Sequence, residues 1–201
     1  MNKTVTLTAI ATVTLIAAAM LWRGGDAHTA KASEGKAATT EQLRAALAAR
    51  GKYIVSTAGC HDCHTPMKMG ERGPEPDMSR ALSGHPAYLQ LPPAPPPAGL
   101  WNVSVAATMT AWSGPWGTTF TANLTPDRET GTGAWTEDDF VRTIRTGRHL
   151  GSGRPILPPM PIPVYRNLTD EDLKSVYWYL QSIPAVKNRV PQPLPPALAA
   201  L

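Results

Sequence analysis

The chain's two cysteines stand three positions apart, and a histidine follows each: Cys60-His61-Asp62-Cys63-His64. Three chemistries suit that grouping: a disulfide switch, a metal site, or a covalently attached haem. A zinc site takes about four protein ligands. Cys60, Cys63 and His64 offer three, with His61, His28, His85 or His149 as a fourth, and no second C-x-x-C accompanies them. A redox-active thiol pair of the thioredoxin kind sits in a βαβ setting, which the sequence lacks. The C-x-x-C-H order is the attachment pattern for c-type haem. Two thiols at this spacing reach the two vinyl groups of one haem and form thioethers. The next residue, His64, is then held beneath the iron as its proximal ligand. The spacing predicts a single haem c, covalent through Cys60 and Cys63.

The second axial ligand is sought among Met67, Met69, Met78, Met109 and Met160. Met67 and Met69 are too near His64 to reach the other haem face easily. Met160 lies in "LPPMPIP", where flanking prolines stiffen the loop around the thioether sulfur. It is the predicted distal ligand, with Met109 and His149 in reserve; the bland alternative is a methionine filling a gap in the core. Trp101, Trp112, Trp116, Asn123 and Arg154 are the candidate donors for a rim around the haem propionates, since buried carboxylates need hydrogen-bond partners. The tryptophans would equally serve as a small core beneath the Pro-rich loop. Tyr53 reads as core packing. Pro66 or Pro74 would offer the backbone carbonyl that orients His64 through its other ring nitrogen.

Three helices must position these groups. Thr39 with Gln42 fits a capping box, and "EQLRAALAARGKYIVSTA" carries Leu43, Leu47 and Ile54 at helical spacing towards Cys60. Gly51 interrupts it and suits a close helix crossing. A second helix starts at Thr136 with acidic residues in its first turn and stops at Gly147. Thr169 caps a third, with Leu173, Val176, Tyr177 and Leu180 on one face, ended by Pro184. Residues 65–134 read as loop, and no stretch alternates cleanly enough for a strand.

The totals agree with a small cofactor-filled domain. Of 201 residues, 42% are hydrophobic but only 6% aromatic, so a large cofactor would fill much of the interior. The 21 prolines exceed the roughly 5% norm and require much irregular backbone. "MNKTVTLTAIATVTLIAAAML" has a basic start and an apolar run over residues 5–21, an export-signal pattern. It is cleaved near Ala30-Lys31-Ala32 or retained as a membrane anchor. The expected organisation is a signal or anchor over 1–32, a flexible leader over 33–38, a haem domain over 39–190 and a Pro-rich tail over 191–201. Export places the domain in a periplasm. The formal charge of +4 falls to +2 without residues 1–32, which hold Lys3, Arg23, Lys31 and Asp26. No basic stripe argues for nucleic acid.

"CHDCH", "LPPMP" and the final amphipathic helix together resemble class I cytochrome c. "DMSRALSGHP", "GPWGTTFTANLTPDRETGTGAWTEDDFVRTIRTGRH" and "YRNLTDEDLKSVYWYLQSIPAVKN" resemble bacterial periplasmic mono-haem cytochromes. They are also similar to haem domains of cytochrome subunits that serve membrane-bound alcohol or sugar-acid dehydrogenases. The resemblance implies an all-α class I cytochrome c fold, with first and last helices crossing beside the haem edge. It implies Cys60 and Cys63 as anchors, and His64 and Met160 as axial ligands. The separation of 96 positions between His64 and Met160 implies a long Pro/Gly/Trp-rich loop insertion.

The function expected is outer-sphere electron transfer between Fe(III) and Fe(II), not catalysis, because no nucleotide loop or nucleophile–base pair is present. Expected partners are a dehydrogenase donor and a terminal oxidase or another cytochrome as acceptor. The rivals are a haem subunit acting only when docked on a dehydrogenase, and an open-iron haem enzyme or sensor if Met160 is not a ligand.

Overall fold

The computed structural model describes residues 39–95 and 100–196. The expected export signal, the leader, His28 and the end of the tail lie outside the described residues. Helix α1 (Thr40–Thr57) begins as its sequence requires: Thr39 Oγ1 accepts from Gln42 N, and the Gln42 side chain accepts from Thr39 N. Helix α2 (Cys60–His64) follows after a left-handed turn at Gly59 (φ 74°). The helix expected to run straight into Cys60 is therefore broken one residue before it. Helix α3 (Glu137–Thr146) has a full capping box between Thr136 and Asp139 and stops at Gly147 (φ 66°). Helix α4 (Ile162–Tyr165) is a single turn after Met160, and α5 (Asp170–Ser182) starts from Thr169.

The all-α expectation, and the class I assignment that came with it, is corrected by two antiparallel sheets. Strand β1 (Met67–Gly70) pairs with β2 (Gly73–Pro76), and β3 (Ser104–Val105), β4 (Ala111–Gly114) and β5 (Gly117–Phe120) form the second sheet in that order. Both lie in the stretch expected to be loop. The Gly70↔Gly73 and Gly114↔Gly117 pairs close two-residue turns, and Gly73 and Gly117, the residues just after each turn, take a positive φ that glycine accommodates. The strands are too short for alternation to register. The prolines in β2 are tolerated because a two-stranded ribbon consists of edges. The tail continues the second sheet: Thr118 and Leu194 exchange backbone hydrogen bonds of 2.9 Å in both directions.

The α1–α5 crossing is the main packing contact. A Cβ at Gly51 would stand 1.9 Å from the Ser175 carbonyl oxygen, so only glycine permits this approach. The buried apolar cluster comprises Ile54 and Val55 of α1, Leu82, Phe140 and Ile144 of α3, Ile162, and Leu173, Val176, Tyr177 and Leu180 of α5. Among the described residues no helix is long and apolar enough to cross a membrane.

Candidate functional site

Cys60 and Cys63 sit one helical turn apart on α2, so their side chains share a face. Both thiols are free. Burial pushes the Cys60 thiol up to about 11 and raises that of Cys63 as well. Protonated, partly buried thiols are poorly suited to thiolate-driven exchange. His61 does not join them in a common metal cluster: its Nδ1 is 2.9 Å from the Thr65 hydroxyl. Among the described residues no three His, Cys, Asp or Glu side chains form a metal-holding group, so the zinc reading gains no fourth ligand from them.

His64 is 8% exposed. Its Nδ1 lies 2.8 Å from the Ala122 carbonyl oxygen, and a carbonyl only accepts, so Nδ1 carries the proton. The orienting carbonyl is thus neither Pro66 nor Pro74. Pro66 O accepts from Asp77 N at 2.8 Å, and Pro74 belongs to the exposed β2 strand. Burial lowers the pKa of His64, against the opposing effect of the Ala122 bond. A neutral ring with its proton on Nδ1 leaves the Nε2 lone pair to ligate a metal.

The segment Leu82–His85 braces this arrangement. Leu82, Ser83 and His85 are fully buried. Leu82 N donates to Thr65 Oγ1 at 3.0 Å, Gly84 N to His64 O at 2.8 Å and His85 N to Thr121 O at 3.0 Å. This segment therefore links α2 to the strand-end that supplies Ala122.

A cavity of about 490 Å³ opens beside His64, within the ~300–1,000 Å³ range of ligand sites. Seven of the ten core residues line it: Ile54, Val55, Phe140, Ile144, Leu173, Val176 and Leu180. The core and the cavity wall are one surface. Cys60, Cys63, His64 and Met160 all line the same cavity, as do Asn123, Arg154 and His149. Thr119 and Thr121 also line it, and their hydroxyl oxygens are buried without a partner. An apolar chamber with two thiols, an oriented imidazole, a thioether and unpaired hydroxyls fits a large flat cofactor with a metal centre and a polar edge.

The other expected site residues lie elsewhere. Trp112 Nε1 donates to Met109 O at 3.1 Å, and Trp112 is in the β3–β4–β5 sheet. Trp116 is in the β4–β5 turn. Neither lines the cavity, nor does Met109. Trp101 is 81% exposed and Tyr53 61%; Tyr53 packs under the Arg50 guanidinium and not in the core. Asn123 is committed within the wall: Nδ2 donates to Val186 O at 2.8 Å, and Oδ1 accepts from Thr125 N and Oγ1. Sequence reasoning missed Ala122, Arg128 and Arg189. A backbone carbonyl leaves no signature in residue type, and the two arginines stand in no motif.

No family model matches the chain. It is 30% identical over 139 residues to the gluconate 2-dehydrogenase cytochrome c subunit of Pantoea cypripedii, covering 69% of this chain and 24% of that protein. It is 28% identical over 158 residues to the alcohol dehydrogenase (quinone) cytochrome c subunit of Gluconobacter oxydans, covering 77% and 26%. It is 28% identical over 177 residues to one of the nicotinate dehydrogenase subunits of Pseudomonas putida, covering 88% and 12%. The matched region spans about an eighth to a quarter of these relatives' length.

Proposed function

We propose that the chain is an electron-transfer haem domain of the cytochrome c type. Cys60 and Cys63 would hold one haem c through thioethers, and His64 and Met160 would ligate its iron. The observation that carries this is the convergence of those four side chains on one cavity lined by core residues, with His64 oriented by the Ala122 carbonyl. The similarity to cytochrome subunits of dehydrogenases supports the same reading.

A bound haem c supplies an Fe(III)/Fe(II) couple. His64 offers Nε2 to the metal while Ala122 holds the ring's tautomer and raises its basicity. Met160 offers a soft sulfur that favours the reduced state. Ile54, Val55, Phe140 and Leu173 exclude water and penalise the more highly charged oxidised centre. Nothing in this arrangement requires a substrate to reach the metal. The domain acts as a carrier, donating to or accepting from a protein partner.

The partner supported by the comparisons is a dehydrogenase, and the domain serves it as an electron acceptor. Residues 5–21 direct export, as a cleaved signal or an anchor, and residues 39–190 form the haem domain. The test is the intact mass of the protein after co-expression with haem-attachment machinery, then denaturation. The reading predicts one haem retained in the wild type, and none retained covalently after both Cys60→Ala and Cys63→Ala. A wild type that releases its haem on denaturation, or never acquires one, contradicts it.

A further inference from the structure

The charge on the cavity wall is unbalanced. Arg128, Arg154 and Arg189 line it beside one carboxylate, Glu129. Glu129 is paired outward with Lys187 at 2.9 Å. His149 adds no charge at neutral pH, because burial and the nearby Arg154 lower its pKa. Among the described residues, none of the three arginines makes an ion pair, a side-chain hydrogen bond or a stack on an aromatic ring.

Two of these arginines are brought together by the segment after α5. Val186 N donates to Thr125 Oγ1 and Asn188 N to Thr130 Oγ1, both at 3.0 Å. Asn123 Nδ2 donates back to Val186 O at 2.8 Å. Residues 186–189 thus run along the loop of residues 123–130 as a strap, which places Arg189 and Arg128 on neighbouring stretches of backbone. The strap is fixed beyond Arg189 by the Thr118–Leu194 bridge. Thr119 and Thr121, with their unpartnered hydroxyls, lie on β5 and just past it.

Resting on the haem reading above, we infer that Arg128 and Arg189 bind the two carboxylates of the cofactor, so that the C-terminal strap is part of the cofactor site. The guanidinium fork matches a carboxylate bidentately, and two unpaired guanidiniums carried on neighbouring stretches of backbone match the two carboxylates of one cofactor. Of the rim expected from sequence, Asn123 and Arg154 line the cavity, while Trp101, Trp112 and Trp116 do not. The arginines then raise the potential by offsetting negative charge that would favour the oxidised metal, and they keep the carboxylates ionised.

The test is the midpoint potential of the haem-loaded protein between about pH 5 and pH 8, for R128Q, R189Q, R128K, R189K and R72Q. Both arginines have exposed side chains, so the variants are expected to fold. Arg72, in the β1–β2 turn outside the cavity, controls for the same change in net charge. The other charged or titratable groups on the wall are Glu129, paired with Lys187 behind it, His149, Arg154 and Tyr165, besides Cys60, Cys63 and His64, which the haem reading assigns to the cofactor. The expected result is a lower potential in R128Q and R189Q, newly dependent on pH, with the lysine variants close to wild type. Glutamine variants that match R72Q in both potential and pH profile overturn the inference. A wild type without covalent haem overturns the underlying reading as well, and shows it before any variant is titrated.

Discussion

His64 Nδ1 donates to the carbonyl of Ala122, 58 residues downstream and 2.8 Å away. Gly84 holds that carbonyl in place. It accepts the approach of the Thr121–Ala122 backbone with φ at +75°, and a Cβ there would stand 2.3 Å from Thr121 O and 2.6 Å from Ala122 O. Gly84→Ala is therefore expected to displace the carbonyl and weaken the bond to His64. A less basic imidazole stabilises Fe(III) less, so the potential rises. Stability falls by about 1–3 kcal/mol from overpacking and backbone strain. Spectroelectrochemical titration and denaturant unfolding of the haem-loaded variant measure the two effects. A potential at or below the wild-type value would separate Gly84 from the histidine.

Asn188 is the buried fastener of the C-terminal strap, 3% exposed. Its Nδ2 donates to Ser83 O at 2.7 Å and His85 O at 2.9 Å, and its Oδ1 accepts from Ala87 N at 2.9 Å. Asn188→Ala leaves buried carbonyls and an N–H unpaired, each at a cost of about 1–3 kcal/mol. The expected outcome is a loss of at least that size in denaturant unfolding, with faster proteolysis after residue 182. Asn188→Asp keeps the acceptor and loses both donors, so it is expected to be comparably destabilised.

His85 gives the fold a sensitivity to acid. It is fully buried, with Nε2 donating to Leu89 O at 3.2 Å and Nδ1 2.9 Å from the Thr110 hydroxyl. Burial lowers its pKa. The unfolded chain therefore takes up a proton more readily than the folded one, and acid favours unfolding. The contribution is complete above the unfolded value of about 6.5 and drains away as pH falls from there towards the folded value. In thermal melts, His85→Gln is expected to flatten the pH dependence below about pH 6.5; a slope unchanged from wild type would assign it to other groups.

The parts legible in the sequence are those carried by local chemistry. Thr39 announces its helix because a capping box needs only four residues, Thr136 because acidic residues crowd the first turn after it, and Gly147 ends α3 because the left-handed stop favours glycine. Gly51 is legible as a crossing point because an isolated glycine in a helical pattern implies a close neighbour. The C-x-x-C-H run announces the candidate site because both thiols and the imidazole are contiguous. What stayed hidden depends on partners distant in sequence. Ala122 contributes through its backbone, Asn188 through contacts about a hundred residues away, and Arg128 and Arg189 through a strap whose docking only the tertiary structure determines. The β hairpins were hidden for another reason. Strands of two to four residues with prolines and glycines do not display an alternating pattern, and tertiary context sets their conformation. Trp112 and Trp116 are rim candidates by chemical type alone, and the sheet keeps them off the cavity wall.

The central claim is that His64 and Met160 ligate one metal centre in the cavity they share. The most direct measurement is the optical spectrum of the oxidised, haem-loaded protein beside Met160→Ala. The account predicts a low-spin wild type with a sulfur-to-iron charge-transfer band, and loss of that band in the variant. A band that survives Met160→Ala, or a high-spin wild type, would contradict it.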